Sequence, residues 1–321
     1  MTFLPRDFIE TVEGLMFAVV ARGVEDDKAL AFLRYVPDAG GHRKISTEDA
    51  NRLLRERHPH YLHYSTQRDT HLHAVPIGSI RHHHRPRTRA REILQGGPAD
   101  GLEVKLAQVL RLLIESGVDR DCLGVTGSLL IRRQNAHSDL DVVVYGRDQF
   151  QLARDAVCRL TDLDVLNDLD ALSWRETYAR RGCTLSFEEF LRHERRKGNK
   201  GMIAGTKFDL ALVQDEEPQP AGSWRKLHKT TLCARVKDAT QGYDHPAYYL
   251  LDHTDVPELL CFTHTYAGQA RCGELVEACG SIEESSDGKK RLVVGSSREA
   301  PGEYVRVIWE QIESSVYLPL Y

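Results

Sequence analysis

Apolar residues recur at short, strand-like spacing in the runs "FIETVEGLMFAVVARG" and "KALAFLRYVPD" near the start of the chain. The turn-like "VEDD" separates these runs and "PDAGG" ends them, so the pattern predicts a hairpin. The next segment, "STEDANRLLRERH", reads as a helix that Ser46 caps and Asp49 answers three residues later. A short strand is predicted at "HLHAVPIGSI". Residues 1–95 thus read as a small α+β domain, closed off by the Gly/Pro-rich "QGGPADG".

The pattern then changes. Leucines and valines in "LEVKLAQVLRLLIESG" recur three and four residues apart, as on an amphipathic helix. A strand at "CLGV", a turn at Gly127-Ser128, a short helix at "LLIRR" and a buried strand at "LDVVVYG" follow. "RDQFQLARDAVCRL" predicts another helix and "TKFDLALV" one more strand, an α/β order over residues 96–216. The acidic, Pro-containing "QDEEPQPAGS" is the predicted linker into residues 217–321. There the apolar runs are short and β-like, as in a small antiparallel β-barrel of OB type. The chain carries no internal repeat.

Composition narrows the class. With 321 residues, 41% of them apolar and 28% charged, the chain can bury several cores. Its "LMFAVVA" run is far shorter than the roughly 20 residues that cross a bilayer, and no basic segment precedes it, so neither membrane nor secretory routing is expected. The 7 cysteines are scattered without a CxxC pair, which argues against a disulfide framework or zinc knuckle and for reduced thiols in a cytoplasm. Net charge is −4, yet "RHHHRPRTRAR" and "HERRKGNKG" concentrate cations and are candidates for phosphate contact. Histidines crowd residues 58–84, but no cysteine and few nearby carboxylates stand ready to complete a zinc site, so a polar surface is the simpler expectation.

The candidate chemistry lies in "GVTGSLLIRRQNAHSDLDVVVYG". Alternate side chains of a strand share a face, so Asp139 and Asp141 point together while Leu140 and Val142 enter the core. Paired carboxylates on an apolar strand repel each other unless a cation neutralises them, and a hard divalent ion such as Mg²⁺ is the simplest partner. Gly127 lets backbone approach a bound group, and Ser128 offers a hydroxyl and an N–H at a helix start that favours anions. Asp209, the one acid in "KFDLALV", supplies a third carboxylate for a two-metal centre holding two Mg²⁺ ions.

Gly127-Ser128, a ten-residue spacer and Asp139-Leu140-Asp141-Val142 together resemble the signature of the DNA polymerase beta nucleotidyltransferase superfamily, with Asp209 as its third acid. The likeness covers about 120 residues of the middle segment. The segments "AFLRYVPD", "HAVPIGSI", "ERRKGNKG", "FTHTYAGQA" and "SREAPGEY" further resemble archaeal proteins known only as predicted nucleotidyltransferases. The resemblance implies a five-stranded mixed sheet with helices on one side and Mg²⁺-dependent transfer of a nucleoside monophosphate from an NTP to a hydroxyl. It does not supply the acceptor. Smaller members carry an arginine and then a glycine after the Gly-Ser turn; this chain departs from that with "LLIRRQ", leaving Arg132 and Arg133 as the candidates beside the phosphates.

The fold class expected is therefore α/β in the middle and α+β overall: a nucleotidyltransferase-type mixed sheet with helices, between a small α+β domain and a small β-barrel. Asp139, Asp141 and Asp209 are the expected catalytic and metal-binding residues. Gly127, Ser128, Arg132, Arg133, Arg195, Arg196, Lys197 and Lys200 are the expected nucleotide-binding ones. RNA or DNA is the expected acceptor, selected by the C-terminal domain, with Arg271, Arg291 and Arg298 read either as contacts to such a nucleic acid or as ordinary surface residues. Two rival readings are a non-catalytic nucleic-acid-binding scaffold and an enzyme that nucleotidylates a protein side chain. The intact acids favour catalysis over the scaffold.

Overall fold

The structure, a computed structural model, describes residues 2–66, 69–215, 224–297 and 300–309. Most of the expected linker and the candidate Arg298 lie outside these residues.

Gly14, at φ +79°, turns the chain inside the first apolar run, so that run becomes β1 (Phe8–Thr11) and β2 (Met16–Val19). With β3 (Lys28–Asp38) they form an antiparallel meander in place of the single expected hairpin. The far end of β3 folds back as β4 (Gly41–Lys44). Helix α1 (Thr47–Arg57) starts where expected, Ser46 Oγ accepting from the Asp49 N–H at 3.1 Å. Strands β5 (Leu62–Ser65), β6 (Thr70–Pro76) and β7 (Ile80–His84) complete a sheet ordered β5-β6-β3-β2-β1-β7, with β4 paired to β3. Its core is built from Phe17, Leu33, Leu54, Tyr61 and their neighbours.

The middle unit holds α2 (Pro86–Gly96), α3 (Gly101–Glu115), β8 (Leu123–Val125), α4 (Gly127–Leu130), β9 (Leu140–Tyr145) and α5 (Arg147–Asp162). After them come α6 (Ala171–Arg181), α7 (Phe187–Lys197), β10 (Lys200–Ile203) and β11 (Thr206–Val213). Among the described residues the sheet has 4 strands, ordered β10-β11-β9-β8, where the resemblance implies 5. The chain between β9 and β11 forms helices up to β10: Asp170 and Ser186 cap α6 and α7, and Gly182 and Gly198 end them in the left-handed region. Leu140, Val142, Val144, Phe208, Leu210 and Leu212 pack under α3 and α5. Ala90 and Ile93 of α2 join that same core, although α2 precedes the Gly/Pro-rich segment expected to mark the domain boundary.

The C-terminal strands are β12 (Trp224–Asp238), β13 (Ala247–Asp252), β14 (Glu258–Cys261), β15 (Leu275–Ser285), β16 (Lys290–Val294) and β17 (Tyr304–Val307). Their ladders run β12-β13-β14-β16-β15-β17, and β15 also pairs β12. The expectation of a wholly antiparallel unit is corrected, because β14 and β16 are parallel. The chain returns between them through a long connection containing β15, the kind of crossover that parallel neighbours need.

Several contacts join the units. Phe8, Met16 and Tyr35 of the first sheet pack on Leu130 and Ile131 beside α4. Arg147 of α5 pairs through both carboxylate oxygens with the buried Asp244, and Tyr243 lies against Phe150 at 5.3 Å. The overall class is mixed α+β, and no described helix is long and apolar enough to cross a membrane.

Candidate functional site

β9 and β11 are parallel neighbours, and their register sets Asp209 directly opposite Asp141. Alternation sends Leu140 and Val142 toward the helices, both fully buried, so the two carboxylates share the other face of the sheet. Asp139, just before β9, has the same parity. On the next ladder Lys200 is opposite Asp209.

Gly127 is required here for two reasons. Its φ is +67°, and a Cβ at this position would collide with the Asp141 carboxylate. The adjacent Thr126 N–H donates to the Asp141 carbonyl at 3.0 Å, which ties the turn to β9. Gly127→Ala is therefore expected to push the Asp141 carboxylate aside and to cost about 1–3 kcal/mol in backbone strain. Mg²⁺-dependent thermal stabilisation should disappear with it; a variant whose Mg²⁺ response matches wild type would show that the cradle is not needed.

Cations surround the carboxylates. Asp139 is 3.1 Å from Arg180 and 3.5 Å from Lys207. Asp209 is 3.4 Å from Lys200 and 3.6 Å from Arg181, and it accepts from Asn199 Nδ2 at 3.2 Å. Desolvation and then the Asp209 charge push the Asp141 carboxyl up to about 6, against the opposing pull of Arg6. Asp141 and Asp209 are ladder neighbours and Asp139 shares their parity, a set of hard oxygen donors whose chemistry suits a divalent cation, although the three carboxylates do not gather within 4.8 Å of one another here.

Behind Lys200 lies a buried charge relay. Glu194 takes Lys197 on one carboxylate oxygen and Lys200 on the other, the latter at 2.9 Å. Lys197 Nζ also donates to the Thr265 carbonyl of the C-terminal unit at 2.7 Å. The lysine charges hold the Glu194 carboxyl far below the usual carboxylate range, and the Asp209 and Glu194 charges raise Lys200 against the cost of its burial. Lys200 is thus steered toward Asp209 by a partner that no local pattern announces.

The other sequence candidates are distributed differently. Ser128 opens α4 beside Gly127, and its carbonyl accepts from the Arg133 N–H at 2.8 Å. That helix has only 4 residues, so any anion contact there depends on individual N–H and hydroxyl groups rather than on a summed dipole. Arg132 pairs with Glu92 at 2.9 Å, and Arg133 lies against the Gly41 turn. Of the four cations expected to line one approach, Lys200 reaches Asp209, as does the neighbouring Asn199, whereas Arg195 pairs with Asp168 at 3.2 Å, Arg196 with Glu274 at 2.5 Å and Lys197 with the buried Glu194. Helical periodicity explains the split, since consecutive residues of α7 face different directions.

Four of the five arginines in "RHHHRPRTRAR" have a protein carboxylate within reach, although Arg81, Arg85 and Arg91 stay exposed. Arg81 faces Glu10, Arg87 grips Asp215, Arg89 is buried on Glu103 and Arg91 meets Asp121. Arg291 is buried on Glu283 at 2.7 Å beneath Trp224, which closes it to an acceptor, whereas Arg271 stays exposed and donates to the Arg196 carbonyl. Tertiary structure also brings carboxylates to the histidines: Glu13 to His58 and His60, and Glu25 with Asp26 to His63. Each glutamate already accepts a hydrogen bond from a hydroxyl, of Tyr61 and Ser65 respectively.

Arg6, Arg34, Lys44, Arg180, Arg181, Lys207, Glu194 and His264 were not found by sequence reasoning. Only "ARRG" at the end of α6 carried a readable signal, basic residues in a last turn followed by a Gly cap. His264 reaches Arg6 at 3.3 Å, so the C-terminal unit meets the candidate centre rather than standing apart from it.

Comparison with known proteins finds an uncharacterized protein (MJ1086) of Methanocaldococcus jannaschii that is 34% identical over 333 aligned positions, spanning 94% of this chain and 98% of that one. No protein-family model and no solved structure matches the chain.

Proposed function

We propose, for a chain that belongs to one family with that archaeal protein, Mg²⁺-dependent transfer of a nucleoside monophosphate from an NTP to a hydroxyl acceptor, RNA or DNA. The observation that carries this reading is the register of Asp141 against Asp209, with Asp139 of like parity before β9 and Gly127 cradling the Asp141 carboxylate. Bound to the three aspartates, two Mg²⁺ ions would neutralise charge on the attacking and leaving oxygens.

The chain's own groups do the rest. Lys200 and Arg181, beside Asp209, are suited to the pyrophosphate that leaves, and Ser128 to the triphosphate. The acceptor oxygen attacks the α-phosphorus in line, its proton passes to a nearby base, and the bond to pyrophosphate breaks. Asp209, held by Asn199, is the candidate that assists this deprotonation. We read the C-terminal unit as an OB-type barrel that helps choose the acceptor. The ladder sequence β12-β13-β14-β16-β15, returning to β12, supports that reading.

The test uses full-length protein with each α-labelled NTP, Mg²⁺ and a mixed RNA pool. Label on RNA, lost in Asp139→Asn, is the expected result. Label retained on the protein would favour a side-chain acceptor, and no Mg²⁺-dependent turnover of any NTP would overturn the enzyme reading.

A further inference from the structure

The histidines of the N-terminal unit are not alike. His73 takes the Leu33 N–H on one ring nitrogen at 3.2 Å and meets Asn51 with the other at 2.7 Å, and His83 reaches Asp7 at 2.7 Å. Those rings are tied into the first sheet. His58 and His60 differ, because among the described residues no hydrogen bond engages a ring nitrogen of either, and His60 Nε2 stands 4.0 Å from Glu13 Oε1. One ligand atom from each of Glu13, His58 and His60 lies within 4.8 Å of the other two.

We propose that Glu13, His58 and His60 form a binding site for a transition-metal dication of the zinc class, separate from Asp139, Asp141 and Asp209. The site stands whether or not the chain transfers nucleotides. Two imidazoles and one carboxylate are donors of borderline softness, which suit Zn²⁺ and its neighbours and not Mg²⁺, whose sites are built from oxygen. Atoms bound to one zinc ion at about 2.0–2.2 Å in a tetrahedral array stand about 3.3 Å apart. Swings of about an ångström in these half-buried and exposed side chains therefore close the group around an ion. Three protein ligands leave the fourth position to water or to a donor atom of a ligand.

The backbone beneath each ligand is fixed. His58 closes α1, its N–H donating to the Leu54 carbonyl at 3.0 Å, and its own carbonyl accepts from the Tyr61 N–H at 3.1 Å. Pro59, between the two histidines, opens the single helical turn Pro59–Tyr61, and its ring restricts φ there. Glu13 lies in the turn between β1 and β2, where the Gly14 N–H donates to the Thr11 carbonyl at 2.9 Å and the Val12 N–H to the Ser79 carbonyl at 3.1 Å.

Tyr61 is the positioning residue. It is fully buried, its ring lies 5.1 Å from Phe17 and 4.1 Å from the His60 ring, and its hydroxyl donates to Glu13 Oε2 at 2.7 Å. That bond occupies one carboxylate oxygen and leaves the other facing His60. A hydrogen bond from a neighbouring group is how ligating carboxylates are generally oriented. The local sequence around "HPHYLH" offers no cysteine, and the completing carboxylate arrives instead from the β1–β2 turn. A bound ion would tie that turn to the connection between α1 and β5.

The experiment uses full-length protein without an affinity tag, stripped of metal by a chelator. Zn²⁺ uptake is followed by competition with a chromophoric chelator in excess Mg²⁺. Wild type and Asp141→Asn should each take up one equivalent more than the His58→Ala/His60→Ala double variant. Tyr61→Phe, which keeps the ring and removes the hydroxyl, should bind that equivalent about tenfold or more weakly. Thermal midpoints without metal are the folding control, and Glu13→Gln repeats the comparison with a single exposed side chain changed. Zinc uptake by both ligand variants equal to that of wild type, or displacement of the ion by Mg²⁺, would overturn the site. Loss of the equivalent in Asp141→Asn would assign the ion to the aspartates and overturn it as well. A Tyr61→Phe protein that binds zinc as wild type does would overturn the positioning role of the tyrosine.

Discussion

Asp141→Asn should abolish nucleotidyl transfer while making the metal-free protein more stable at pH 8. The carboxyl is raised to about 6 in the fold, above its ordinary value, by desolvation and by Asp209. A raised acid contributes its full stability below its unfolded pKa of about 4 and loses it as the pH rises through about 6. Above that pH the ionised carboxylate works against folding, and asparagine does not. The gain at pH 8 is expected to reach at most about 3 kcal/mol and to vanish near pH 4. Added Mg²⁺ should reverse the ranking, because a ion that binds only the folded wild type stabilises it by mass action. Thermal unfolding with and without Mg²⁺ at both pH values checks this; a variant less stable than wild type at pH 8 without metal would contradict the electrostatic account.

Glu194→Gln should have the opposite effect on stability. Glu194 is 2% exposed and sits between Lys197 and Lys200, so removing its charge leaves two buried ammonium groups without their shared partner. Breaking a buried ion pair in this way costs about 3–5 kcal/mol, and Lys200 loses the group that aims it at Asp209. Its depressed carboxyl gives the sign of the pH dependence: the contribution is present above the ordinary glutamate pKa and is lost as the pH falls toward the folded value. Chemical denaturation at pH 7 should therefore show a much lower midpoint for the variant, with the gap narrowing in strong acid. A midpoint equal to wild type would mean that the lysines find other partners, and the relay would have no structural role.

The local signals that could be read were those with a period or a cap. Strand alternation put Asp139 and Asp141 on one face, and the apolar "KFDLALV" run around Asp209 predicted the strand that pairs with β9. Ser46 announced α1, and the short β-like runs after residue 224 announced the C-terminal strands. Between β9 and β11, by contrast, the sequence reading left α6 and the first turns of α7 unassigned. Their apolar residues, Trp174, Phe190 and Leu169, pack mainly on each other and make no long amphipathic stripe. The "ERRKGNKG" cluster looked like one patch because it is contiguous. Helical twist sent Arg195 to Asp168, Arg196 to Glu274 and Lys197 into the interior.

By itself the sequence determined the pattern of buried faces, the turn at Gly127 and the strand carrying the paired aspartates, because each depends on neighbours within a few residues and on the period of one element. Tertiary structure alone decided what surrounds them. Arg6 arrives from the N-terminal unit, Glu194 lies under Lys200, and His264 comes from the C-terminal unit. Those positions depend on how whole faces pack and on charges that meet across more than a hundred residues of chain, and such long-range complementarity leaves no local period to read.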